Sequence, residues 1–248
     1  MNEPGTTRHR LRDFLVPAAA VTTVLAVIGV TTVLTSSGTS GTVTIPGPEP
    51  APVAMRLVGF GHAAIAVPKI WGTNFSRCGT PRKDTVLIDD PSASFDCRLP
   101  RPEKVESVEL TSAPPADFRA DERLTIDGVE ATRQRTACLD DEVCWGAVGI
   151  PSQQVWFHAV SSTGAEEVDR ILDRIQILPN QVGLPSYQPL DKRLTGTAYA
   201  KVLAQQGLKT RFLTRTSPRY LAGRISGVSP APGTMLTPGS TVTVTVVK

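Results

Sequence analysis

Near its C-terminal end the chain carries two proline–glycine turns, Ser229-Pro-Ala-Pro-Gly-Thr and Pro238-Gly239, and these fix what the surrounding residues can do. Proline lacks a backbone N–H and locks φ, while glycine takes positive φ without steric cost, so each turn ends one strand and reverses the chain. After the second turn Ser240–Val247 (STVTVTVV) alternates Thr outward and Val inward, the signature of a half-buried strand. Upstream, Leu208–Thr214 (LKTRFLT) alternates in the same way, and Gly223–Val228 begins another strand. Thr195–Gln206 is predicted as a helix, with Thr195 as N-cap, an apolar stripe of Ala198, Tyr199, Val202 and Leu203, and Gly207 as the stop. One helix on a three-stranded sheet results, close to the smallest unit that folds alone.

That order of elements, with Gln-Gln-Gly-Leu after the helix and SPAPGTMLTPGSTVTVTV at the end, resembles a PASTA domain. The matching positions include Thr195, Gly207, Leu208, Gly223, Ile225, Ser229, Pro230, Pro232, Gly233, Pro238, Gly239, Ser240, Val242, Val244 and Val246. The resemblance implies recognition of peptidoglycan fragments, as in wall-sensing kinases and penicillin-binding proteins. Two departures stand out. After Pro189 the family's apolar Val-Val-Gly is replaced by Asp191-Lys192-Arg193, and Val228 stands where a Gln is frequent before the turn. The family usually arrays several such modules; this chain has one, with no kinase or transpeptidase sequence.

Charge is distributed unevenly. Residues 186–248 hold nine basic side chains against a single acid, Asp191, whereas residues 56–185 hold 14 basic and 19 acidic. A tail this basic concentrates anionic ligands through its summed field. It is equally suited to dock on the acidic stretch of its own chain. Arg211, Arg215, Arg219 and Arg224 are the expected contacts for an anionic polymer or stem-peptide carboxylates.

Residues 14–35 (FLVPAAAVTTVLAVIGVTTVLT) carry no charge, and at about 1.5 Å per residue such a helix crosses a hydrocarbon core of about 30 Å. Arg8, Arg10 and Arg12 precede it and no basic residue follows until Arg56, which predicts a cytoplasmic N-terminus and a single-pass plasma-membrane protein with its later domains outside. The competing reading is a cleaved signal peptide, whose apolar core is shorter and ends in a small-x-small site. Residues 36–55, rich first in Ser, Gly and Thr and then in Pro, read as a disordered linker.

Residues 56–185 are predicted as an α+β sandwich, with strands over Ala63–Val67, Thr85–Asp89, Val105–Leu110 and Val155–Val160 and a closing helix over Gly164–Leu178. The opening VGFGH…AIAVPKIW, including Val67, Pro68 and Trp71, and the closing EEVDRILDRIQIL are similar in pattern to PsbP-like α/β/α sandwich domains. The four cysteines, Cys78, Cys97, Cys138 and Cys144, lack the C-x-x-C spacing of zinc or redox sites and read as structural disulfides. Of three possible pairings, Cys78–Cys97 with Cys138–Cys144 is preferred, because each bond closes a polar loop between strands. The longer closure contributes roughly 3 kcal/mol by chain entropy.

No catalytic constellation is visible. Only three histidines occur (His9, His62 and His158), and there is no nucleophile elbow, H-E-x-x-H helix or P-loop. Asp140, Asp141 and Glu142 read as a solvated tip and not as a calcium loop, for want of alternating ligand spacing. Trp71, Trp145 and Trp156 read as core residues in preference to a sugar-stacking platform, with Trp145 placed for partial exposure. Nucleic acid is disfavoured as a partner, and neither metal nor cofactor is expected. The function expected is therefore non-enzymatic: a membrane-anchored cell-envelope protein whose C-terminal module contacts peptidoglycan or another anionic wall polymer. The alternative is a scaffold in division or secretion machinery, with the module as a structural spacer.

Overall fold

The computed structural model describes residues 53–88, 90, 99–139, 143–187, 194–218 and 221–248. Stretches rich in β-branched residues form strands, and strands dominate. In chain order they are β1 (Met55–Phe60), β2 (Ala63–Pro68), β3 (Gly72–Thr73), β4 (Ser76–Arg77), β5 (Thr80–Pro81), β6 (Thr85–Ile88), β7 (Glu106–Thr111), β8 (Glu122–Ile126) and β9 (Val129–Leu139). They continue with β10 (Val143–Ile150), β11 (Val155–Ser161), β12 (Ile175–Ile177), β13 (Val182–Gly183), β14 (Lys209–Arg215), β15 (Ile225–Ser229), β16 (Met235–Leu236) and β17 (Thr241–Val247). Helix α1 (Ala165–Leu172) follows β11 and helix α2 (Gly196–Gln205) precedes β14.

A seven-stranded sheet, β3-β6-β7-β11-β10-β9-β8, forms the platform of the larger part. Its inner face carries Val86, Ile88, Val108, Leu110, Val148, Ile150, Val155, Phe157 and Ala159, all in one apolar core with Val58, Ile65 and Val67 of β1 and β2. Helix α1 adds Val168, Ile171 and Leu172 to that core. The helix approaches the sheet at Gly146, where a Cβ would press on Val168, Leu172 and the Thr136 hydroxyl. Its C-terminal end is held by Arg133, whose guanidinium donates to Asp169 at 2.8 Å and Asp173 at 3.0 Å. The Thr136 hydroxyl also donates to Asp169, at 2.5 Å.

The smaller part is built as its sequence dictates. Thr195 caps α2 by accepting from the Ala198 amide at 3.3 Å. Gly207, at φ +74°, closes the helix with both Schellman bonds: its own N–H to Ala204 at 3.0 Å, and Leu208 N–H to Leu203 at 2.9 Å. Leu203 and Leu208 then meet in a second core with Tyr199, Ile225, Val242 and Val244. Behind α2 lies the sheet β14-β17-β15, parallel between β14 and β17 and antiparallel between β17 and β15.

The two parts join through the first proline–glycine turn. The Gly59 amide donates to Gly233 at 2.9 Å, Gly233 to Leu184 at 2.8 Å, and Leu184 to Thr234 at 3.0 Å. β16 pairs with β13, and Val58 bridges to Thr234. Gly233 sits at φ +81°, and a Cβ there would collide with Ile88 and Val58 of the larger core. The C-terminal core also takes in Val182 and Leu184. Docking is thus by backbone pairing and apolar contact; among the described residues every ion pair lies within residues 109–173.

Several expectations are corrected. The α+β sandwich is instead a mostly β structure, because residues 106–161 supply five strands in place of the two read there. β9 was obscured by its polar composition and by a bulge opposite Trp145–Ala147, which shifts its alternation in mid-strand. β10 shows no polar–apolar alternation because it buries residues on both faces. The closing helix ends at Leu172, and Ile175–Ile177 pairs with β2 as a strand. The single-pass, plasma-membrane reading is not upheld: among the described residues no helix is long and apolar enough to cross a membrane. Residues 14–35, on which it rested, lie outside the described residues, as do residues 36–52 of the linker.

Candidate functional site

In the small sheet, Val242 and Val244 are sealed beneath α2, so strand alternation turns Thr241, Thr243 and Thr245 to the opposite, outer face. Parallel register sets Lys209 beside Thr241, Arg211 beside Thr243, Leu213 beside Thr245 and Arg215 beside Val247. The outer face is therefore a column of hydroxyls flanked by a row of cations, with exposed Leu213 between them. On the other side Gly227 and Ser229 of β15 lie opposite Thr245 and Thr243, leaving a low border without large side chains. Lys209, Arg211 and Arg215 are exposed and form no ion pair among the described residues.

Of the four arginines named from sequence, Arg211 and Arg215 share this outward face, four residues apart on β14, roughly 13 Å at 3.3 Å per residue. Arg224 stands at the start of β15, where its carbonyl accepts from the Val247 amide at 2.9 Å. It is thereby carried to the same end of the sheet as Arg215. Arg219 lies outside the described residues. The outward threonines were legible in STVTVTVV; what the structure adds is the parallel pairing with β14, which sets them beside Lys209 and Arg211.

The module is braced at the side away from this face. Tyr199 is fully buried, its hydroxyl donating to the Pro185 carbonyl at 2.7 Å, and Tyr187 meets it edge to face at 6.1 Å. Burial pushes the Tyr199 phenol well above its ordinary value, so it stays a donor throughout the physiological range.

The remaining candidates separate. Cys138 and Cys144 face one another across β9 and β10 with Cα atoms 4.0 Å apart and form a disulfide. Cys78 is also disulfide-bonded, and Cys97 lies outside the described residues. His62 is tied to the Gln181 carbonyl at 2.7 Å, while His158 stands on the outer face of the seven-stranded sheet, 3.9 Å from Glu109. His62 lies in the β1–β2 turn and His158 on β11, and the two do not converge. Residues 140–142 lie outside the described residues. Trp71 is a core residue, as read; Trp145 and Trp156 are half-buried on the outer sheet face. An open cavity of about 360 Å³ lies between β8, β10, α1 and β12, but its cation, Arg133, is spent on Asp169 and Asp173.

Residues 192–248 match the family model of the PASTA domain. The match covers the α2–β17 module and no more, and the PsbP-like resemblance of residues 56–185 gains no support. Among curated proteins no match to this chain is found.

Proposed function

We propose that the C-terminal module contacts peptidoglycan or another anionic wall polymer through the outer face of its sheet, and that the chain works by binding and not by catalysis. The observation that supports this most directly is the exposed row Lys209, Arg211 and Arg215 beside Thr241, Thr243 and Thr245. Guanidinium groups form forked bonds with carboxylates, and a hydroxyl column donates and accepts along a polymer carrying sugars and peptide amides. The PASTA match, in a family associated with peptidoglycan, supports the same partner class.

Sedimentation of the full chain with purified cell wall tests the proposal. R211S/R215S should retain its fold and bind roughly tenfold more weakly, since exposed charge contacts contribute about 0.3–1 kcal/mol each. Binding unchanged in that variant would remove these arginines from the account. A second reading, in which the module is a spacer within a protein-interaction scaffold, is favoured by one observation: its Pro232-Gly233 turn is already committed to the neighbouring sheet. Weak wall retention together with co-purifying protein partners would support that reading.

A further inference from the structure

The outer face of the seven-stranded sheet is chemically unusual. Alternation places Trp145, Ala147 and Gly149 of β10 on it, opposite Val160, His158 and Trp156 of β11. Glu109 of β7 pairs with His158 on one side, and Gln134 of β9 with Ala147 on the other. An antiparallel sheet with one face on the core ordinarily shows polar residues on the other. Here two indoles stand on it instead, one row of Ala147 and His158 between them. They are four residues apart along the strand direction, roughly 14 Å at 3.4 Å per residue.

Between the indoles the floor is polar and unspent. Gln134 is only 8% exposed, yet its amide forms no hydrogen bond among the described residues. Neither indole N–H is bonded within the described residues, and none of these polar atoms is sealed from solvent. His158 and Glu109 keep side-chain exposures of 24% and 37%. At one end Arg101 is consumed by the Val105 and Val160 carbonyls, each at 2.9 Å, and by the Ser107 hydroxyl at 3.0 Å. Glycine at 149 has a use as well. A Cβ there would collide with the Trp156 indole, which rests against the β10 backbone and presents its other side outward.

This chemistry selects its occupant. An apolar protein surface would bury the Gln134 amide and two indole N–H groups without partners, which is unfavourable. An anionic polymer would find Glu109 at the centre of the face and Arg101 turned to carbonyls and a hydroxyl, while the exposed Arg123 stands on β8 at the far edge, three strands from Trp156. A hydroxyl-rich ring fits both demands: its C–H face stacks on an indole, and its rim both donates and accepts. We propose that this face binds a neutral glycan, with sugar rings on Trp145 and Trp156 and hydroxyls bonded by Gln134, His158 and Glu109. The inference does not depend on the C-terminal module, which lies in a different sheet.

The test is titration of the full chain with two soluble probes, an N-acetylglucosamine tetrasaccharide and a glucose tetrasaccharide, followed by tryptophan fluorescence and calorimetry. Saturable binding of either probe is expected, with W145A and W156A each weakening it at least tenfold and Q134L several-fold. Because W156A removes a packed side chain, W156Y serves as its conservative counterpart and should restore most of the affinity. R211S/R215S should leave the titration unchanged, which separates this proposal from wall contact by the module. No binding of either sugar by the native protein at millimolar concentration, or affinity unchanged in both tryptophan variants, would overturn the assignment.

Discussion

At the residue scale, Glu106 makes stability depend on pH. It is 8% exposed on β7; one carboxylate oxygen accepts from the Thr163 hydroxyl at 2.5 Å, while the other has no partner. Burial raises its pKa above the ordinary 4.5, outweighing the Thr163 hydrogen bond and the nearby Ser161 hydroxyl, and Glu167 and Asp84 add to the rise. The folded protein therefore favours the protonated form more than the unfolded chain does. Its contribution is fully present below the unfolded value of 4.5 and is lost as pH rises through the higher folded value. E106Q should therefore melt a few degrees above the native protein at pH 8, with the gap closing towards pH 4. Thermal melts across that range check it; a gap that widens on acidification would reverse the sign.

At the scale of elements, two connections carry distinct predictions. The Cys138–Cys144 bond closes the β9–β10 hairpin, and C138A/C144A should lose about 2 kcal/mol in denaturant unfolding, the chain-entropy value for so short a loop. Gly233 is more demanding, because its positive φ and its contact with Ile88 and Val58 both exclude a side chain. G233A should cost about 2–4 kcal/mol, from the left-handed backbone and overpacking together. It should also raise amide exchange at Gly59 and Leu184, whose bonds with Gly233 and Thr234 join the two parts. Unchanged exchange at those amides would mean that the turn is not what holds the junction.

At the scale of the whole molecule, legibility follows how local the signals are. The C-terminal module was readable because its instructions are short-range: a Thr195 cap, a Gly207 stop, two turns and a Thr/Val alternation. The Cys138–Cys144 pair was readable for the same reason, six residues apart in sequence and directly opposed in the hairpin. β9 and β10 were not, since a bulge and two-sided burial blur the period that identifies a strand. Nor could sequence show that Trp145 and Trp156 share one face, which depends on the register of β10 against β11. The docking of the module on its neighbour was anticipated as a matter of charge. It is made instead by backbone pairing at Gly233, which leaves the basic row of β14 unspent.

That outcome gives the central claim its sharpest test: the outer face of the β14-β17-β15 sheet, and not the docked turn, meets the wall. Amide chemical shifts of the full chain can be followed on addition of a soluble disaccharide-peptide fragment of peptidoglycan. The account predicts perturbations concentrated at Lys209, Arg211, Arg215, Thr243 and Thr245. Shifts confined to Pro230–Leu236, or no shifts in the module at saturating fragment, would contradict it.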